Sequence, residues 1–96
     1  MEYFDATHSN VAASATETTV LAANASRKGA SIHNDSTAIC YLKMGTGAST
    51  TSFTVKLQAD DHYELPRWGL GHDVYRGVIT ALWASATGSA RVTEYT

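Results

Sequence analysis

Apolar and polar positions alternate in short runs along most of the chain, which is typical of strands with one buried face. The clearest run is 53–57, in which Phe53, Val55 and Leu57 are predicted to face inward and the intervening residues to face solvent. Similar runs occupy 29–34, 38–44, 63–65, 78–83 and 90–95, and residues 18–21 form a short β-branched run. Turn residues separate the runs at intervals of about eight to twelve residues, as in an all-β sandwich or barrel.

The turn residues also predict how the runs connect. Runs 29–34 and 38–44 are separated by Asn, Asp and Ser and are expected to pair as a hairpin. In the turn at 84–89, Gly88 can supply the positive φ that a tight connection needs. We therefore expect an antiparallel β-sandwich of seven or eight strands, and a jelly roll is one arrangement that such a sandwich can take.

The first fifteen residues differ from the rest, because they show no clean period. We expect residues 1–15 to form an extended N-terminal arm and residues 16–96 to form one β-sandwich domain. Tyr3 and Phe4 lie in this arm, where exposed aromatic rings are costly unless they dock on another surface. The two alternatives are docking on a neighbouring subunit and disorder of the terminus.

Composition and charge narrow the possible partners. Ala, Ser and Thr fill 37 of the 96 positions, charged residues are only 17%, and the net charge is −2. No basic stripe is present, so a nucleic-acid partner is not expected. The acidic start does not resemble a signal peptide, and no apolar segment is long enough to cross a membrane. The single cysteine, Cys40, lies in an apolar run and is predicted to be a small buried side chain.

One cluster of polar residues could bind a cation. Its members are Asp60, Asp61, His62, Glu64, His72 and Asp73. Carboxylate and imidazole groups together suit divalent cations, and Asp60 with His72 is the pair to consider first. The spacing matches no known cation-binding loop, and adjacent residues on a strand point to opposite faces. A solvated turn is the favoured interpretation, and we expect neither a metal nor a cofactor.

Signals for catalysis are weak throughout the sequence. No serine lies in a G-x-S-x-G setting, which would present it as a nucleophile. The glycine-rich segment 45–50 lacks the Gly-Lys-Ser/Thr ending of a phosphate-binding loop, so a hairpin loop is the better interpretation. We expect no enzymatic activity and assign no catalytic residue.

The tryptophans are candidates for contact or for the core. Arg67 and Trp68 begin the irregular segment 67–73, and arginine and tryptophan are favoured interface anchors. Trp68 could instead stack on a sugar or fold back over the end of the sandwich. Trp83 lies on a clean strand face and is predicted to be core.

Several segments between residues 27 and 94 resemble a family of small virion proteins of tailed phages and prophages. They are Arg27-Lys28-Gly29, Asn34-Asp35-Ser36, Tyr63-Glu64-Leu65-Pro66 and the stretches 77–83 and 86–94. The resemblance implies a β-sandwich in the virion and implies no catalytic residue. The segment 67–73 departs from the family pattern as an insertion.

These observations together favour a non-enzymatic virion structural protein. We expect a capsid-decorating or cement protein that binds the major capsid protein, forms a homotrimer and uses Tyr3, Phe4, Arg67 and Trp68 as interface residues. A neck, baseplate or tail-fibre adaptor protein is the first alternative. A glycan-binding module is the second.

Overall fold

The computed structural model describes residues 5–66 and 74–96, which contain eight strands and no helix. The strands are β1 Ala6–Ala12, β2 Thr18–Leu21, β3 Gly29–Asp35, β4 Cys40–Met44, β5 Val55–Leu57, β6 His62–Glu64, β7 Ile79–Trp83 and β8 Ser89–Tyr95. They form two four-stranded antiparallel sheets, sheet A in the order β1-β8-β3-β6 and sheet B in the order β2-β7-β4-β5. In these parts of the chain no helix is long and apolar enough to cross a membrane.

The strand order is that of a jelly roll. Successive strands alternate between the two sheets, and among the described strands only β4 and β5 follow one another within the same sheet. Two interleaved Greek keys give this connectivity in eight strands. The predicted all-β antiparallel sandwich is therefore confirmed, and its topology is now assigned.

One predicted pairing is wrong, although the strands themselves are present. The runs 29–34 and 38–44 do form β3 and β4, but β3 lies in sheet A and β4 lies in sheet B. The polar residues between them carry the chain across the sandwich rather than closing a hairpin. β3 pairs instead with β8 and β6, both much later in the sequence.

The core lies between the sheets and is built mainly from β3, β4, β7 and β8. Its largest fully buried apolar side chains are Trp83, Ile32, Leu42, Ile79 and Val92. Trp83 is completely buried, as the sequence predicted. Phe53 was predicted to face inward and does not, because β5 begins only at Val55 and leaves the Phe53 ring 40% exposed.

A buried asparagine joins three connections beside the core. The Asn34 amide nitrogen donates to the carbonyl oxygens of Ala38, Leu57 and Gln58 at 2.9, 3.1 and 3.0 Å. Its Oδ1 accepts hydrogen bonds from the Trp83 indole at 3.0 Å and the Ser36 hydroxyl at 2.7 Å. A buried polar group of this kind is stable only because its hydrogen-bonding capacity is used.

A buried arginine has a similar role at the opposite end of β3. The fully buried Arg27 guanidinium donates to the Glu94 carboxylate at 2.8 Å and to the carbonyl oxygens of Ala22, Tyr75 and Gly77 at 2.7 to 3.0 Å. These contacts connect the β2–β3 loop, the segment before β7 and strand β8. The paired charge and the directed carbonyls offset the cost of burying a guanidinium.

Part of the predicted N-terminal arm is a strand of sheet A. Residues 6–12 form β1, which pairs with β8 through seven consecutive residue pairs. Six of its seven residues are exposed and only Val11 is half-buried. This segment is therefore an extended edge strand of sheet A.

Candidate functional site

The four interface residues predicted from the sequence cannot be placed. Tyr3, Phe4, Arg67 and Trp68 lie outside the described residues. The same holds for His72 of the predicted cation cluster and for its neighbour Asp73. Any site must therefore be built from the described part of the chain.

The structure brings Asp60 together with residues other than those predicted from the sequence. One ligand atom each from His33, Asp35 and Asp60 lies within 4.8 Å of the other two, at the end of sheet A. Asp61 instead caps a turn, because its carboxylate accepts the Gln58 backbone N–H at 2.9 Å. The β3 residues could not be predicted at this position because the pairing of β3 with β6 is not visible in either segment alone.

Two features weaken this cluster as a cation site. The Arg91 guanidinium already donates to the Asp35 carboxylate at 2.9 Å, so a cation would compete with it. The Asp60 side chain is 84% exposed and its carboxylate lies 3.8 Å from the His33 ring nitrogen, which is beyond hydrogen-bond range. The Asp35–Arg91 ion pair and the Asp60 carboxylate are therefore solvated surface charges, and Asp35 and Asp60 line an adjoining open pocket of about 330 Å³.

The hydroxyl and thiol groups near the core are committed to structure. Ser36 lines the open pocket, but its hydroxyl donates to Asn34 Oδ1 and accepts the Ala38 backbone N–H at 3.2 Å. Cys40 is completely buried, as predicted, and burial raises the pKa of its thiol to about 12. A thiol in this environment is a poor nucleophile because almost none of it is ionised near neutral pH.

The glycine-rich loop after β4 has an acidic neighbour. The backbone N–H of Gly47 donates to the Glu17 carboxylate, and the Lys43 ammonium donates to the Ser52 hydroxyl at 2.6 Å. The Gly47 N–H, which a bound phosphate could otherwise contact, is therefore already hydrogen-bonded to a carboxylate. This arrangement agrees with the hairpin-loop interpretation of residues 45–50.

A small apolar surface on sheet B is the strongest candidate for a contact site. Tyr41 and Leu82 are cross-strand partners on β4 and β7, and both point outward because their neighbours along each strand are buried. The Phe53 ring packs edge-on against Tyr41, with ring centroids 5.2 Å apart. We call Tyr41, Phe53 and Leu82 the aromatic patch.

Two lysines lie near the aromatic patch. Lys56 lies directly opposite Tyr41 on β5 and is exposed, and Lys43 follows two residues after Tyr41 on β4. Phe53 is the one large apolar side chain that is exposed among the described residues. Aromatic rings within a polar rim are typical of the centre of a protein interface.

The outer face of sheet A has a different character. Registers across the sheet place Asn10, Arg91, His33 and His62 in one row, with small polar residues such as Ser31 and Thr93 in the next. This face is mainly polar. It lacks an exposed aromatic anchor in its described part.

Four residues from the segments singled out in the sequence have structural roles. Arg27, Asn34, Trp83 and Glu94 all belong to the two buried polar networks. Gly88 has a φ of 87°, as predicted for its turn, and a Cβ there would lie 2.7 Å from the backbone of the β3–β4 connection. These four side chains and Gly88 therefore help to hold the two sheets and their connections in place.

Comparison with known proteins gives no relative. No family model, no curated protein and no solved structure matches the chain.

Proposed function

We propose that this chain is a non-enzymatic structural protein of a tailed-phage virion, and that it decorates the head by binding the major capsid protein. The aromatic patch carries the proposal. It places the exposed Phe53 ring against the half-buried Tyr41 ring on the outer side of sheet B, near Lys56, and Phe53 is the one large apolar side chain exposed among the described residues. The jelly roll supports the proposal because this fold is common among viral capsid proteins.

The mechanism is adhesion through many weak, identical contacts. Each bound copy places the rings of Tyr41 and Phe53 against the capsid surface, and the flanking lysines favour an acidic rim on the partner. Repetition over the capsid lattice multiplies the effect of each contact through effective concentration. Tyr3, Phe4, Arg67 and Trp68 remain proposed as additional contacts, and a homotrimer remains the assembly expected from the sequence.

The test is co-sedimentation of the purified chain with heads assembled from the major capsid protein of the same genome. We expect Phe53→Ser to lower occupancy on the heads at least about tenfold, since an interface aromatic is often worth more than 1.4 kcal/mol. His62→Ser is the matched control, because it changes an exposed ring on the opposite sheet. Equal occupancy of the wild type and Phe53→Ser would contradict the assignment of the patch.

The N-terminal contribution needs a truncation that spares the fold. Removing residues 1–12 would delete β1, so the informative variant removes residues 1–4 only. We expect this variant to remain folded and to occupy fewer sites on the heads. Unchanged occupancy would remove Tyr3 and Phe4 from the proposed interface.

A neck, baseplate or tail-fibre adaptor is the first alternative, and copy number discriminates it from head decoration. A high copy number per particle supports the head, whereas a low copy number supports the neck or tail. A glycan-binding module is favoured by one observation, because an exposed ring such as Phe53 can stack on a sugar and jelly rolls include lectins. Binding on a glycan array that Phe53→Ser or Trp68→Ala abolishes would support that alternative.

A further inference from the structure

Strand β1, at one edge of sheet A, differs from the other three edge strands in the described structure, β2, β5 and β6. Strand β2 carries a bulge between Thr19 and Leu21, while β5 and β6 are only three residues long. Short strands, bulges, lysine and proline are the devices that protect exposed edges from pairing. β1 has seven residues, an unbroken register with β8, and neither lysine nor proline.

The side to which each backbone group of β1 points follows from the residue pair just before the strand. The backbones of Asp5 and Thr96 exchange two hydrogen bonds, at 3.0 and 2.9 Å. Because the direction alternates in an antiparallel ladder, residues 7, 9 and 11 also bond to β8. The N–H and C=O groups of Ala6, His8, Asn10 and Ala12 therefore point to the free edge.

We propose that this edge pairs with β1 of a second copy of the chain, about a two-fold axis at Ser9. In this register Ala6 lies opposite Ala12 of the other copy and His8 lies opposite its Asn10. All four residues with outward-facing backbone groups are then used, giving about eight new hydrogen bonds. Residues on the outer face of one copy meet residues on the outer face of the other, so the two sheets become one continuous sheet.

The sequence of β1 is compatible with pairing to itself. It reads ATHSNVA and carries no Asp, Glu, Lys or Arg, so no such like charges oppose each other across the axis. Such an interface is isologous and closes at two copies. A threefold assembly would need a different contact, so the dimer and the homotrimer expected from the sequence predict different masses in solution.

The contact is small, and this limits its strength. A single strand pair buries less than the roughly 1,200 Å² of a stable standard interface. We therefore expect association that depends on protein concentration, with a dissociation constant in the micromolar range or weaker. The inference goes beyond the proposed function: it puts a dimer in place of the homotrimer expected from the sequence, and it does not require that the chain bind a capsid.

The first test places proline at Asn10, where it removes a backbone N–H that points to the free edge and leaves the hydrogen bonds to β8 in place. Proline is tolerated on an edge strand when its missing N–H faces solvent. Asn10→Pro should keep the pairing with β8 and weaken the dimer at least about tenfold, measured by sedimentation velocity on the full chain. Asn10→Ala is the matched control, because it changes the same side chain and keeps the backbone N–H.

The second test measures the register. Ser9→Cys would face its own copy across the two-fold axis at about 4.5 Å between Cα atoms, within the range for a disulfide. Thr7→Cys on the same face would lie about 13 Å from its own copy. Oxidised glutathione should therefore crosslink Ser9→Cys rapidly and Thr7→Cys poorly, while buried Cys40 stays out of the reaction.

The outcomes separate this inference from the proposed function. Pairing through β1 is supported if the wild type and Asn10→Ala sediment with the mass of two chains, Asn10→Pro sediments as a monomer, and the circular dichroism of all three is the same. A monomer at high concentration, a trimer that Asn10→Pro does not change, or equal crosslinking of the two cysteine variants would overturn it. A monomer that still binds heads, but loses binding in Asn10→Pro, would assign the edge to the capsid partner instead.

Discussion

Removing the Asn34 side chain should cost a large part of the stability of this fold. In Asn34→Ala, the Trp83 indole N–H loses its acceptor inside the core, and three backbone carbonyls lose the amide that they share. One buried unsatisfied group costs about 1–3 kcal/mol, and the lost packing adds to it. We expect a total loss of roughly 3–4 kcal/mol, against a typical domain stability of about 5–15 kcal/mol.

The assay is chemical and thermal unfolding followed by far-ultraviolet circular dichroism. For a chain of this length the expected loss corresponds to a fall in Tm of roughly 15–25 °C. Asn10→Ala is the control, because Asn10 is exposed on β1 and its replacement should change stability by less than about 0.5 kcal/mol. The control and the variant both keep the two tryptophans, so fluorescence provides a second probe of the same transition.

A double-mutant cycle identifies the contact responsible. Trp83→Phe removes the indole donor and keeps an aromatic ring in the core, so the Asn34–Trp83 coupling should be about 1 kcal/mol or more. Two results would refute the reasoning. They are a loss below about 1 kcal/mol in Asn34→Ala, and a coupling indistinguishable from zero in the cycle.

Two further predictions concern positions with special local environments. Gly88→Ala should destabilise the fold by roughly 2 kcal/mol or more, because the new Cβ would stand at a positive φ and only 2.7 Å from the Asp35 carbonyl oxygen. Gly47→Ala is the control at φ 84°, where the Cβ meets only an ordinary contact, and it should cost about 1 kcal/mol. Equal losses of unfolding free energy in urea titrations would contradict the close approach at Gly88. Cys40, whose pKa is raised to about 12 by burial, should resist iodoacetamide at pH 8 in the folded protein and react once the protein is unfolded in urea. Labelling of the folded protein at the rate of a free thiol would contradict the burial of Cys40.

The strands could be predicted from the sequence because alternation is local. Residues 29–34 follow the pleat with one face buried, residues 18–21 are a short β-branched run, and the structure has strands at both places. The sheet to which each strand belongs could not be predicted, because the partners of β3 follow it by many residues. β1 was missed as a strand since both of its faces are largely exposed, which leaves no alternation to detect.

The candidate sites were harder to predict for a related reason. Arg27 looks like a surface residue until Glu94, 67 positions later, is placed beside it. Phe53 looks like a core residue in an alternating run, and only the late start of β5 moves it to the surface. In both cases the decisive neighbour or boundary is set by tertiary packing, which overrides a local pattern.

The strand order has a consequence for how the chain is made. β7 and β8 come last in the described sequence, yet β7 lies between β2 and β4, and β8 lies between β1 and β3. Neither sheet can be completed on the ribosome until the last two strands have emerged, and contacts between such distant segments slow folding. During that interval β1 has no partner strand, because β8 is its neighbour in the sheet. Copies that emerge from neighbouring ribosomes are therefore most prone to pair wrongly with each other before β8 has been synthesised.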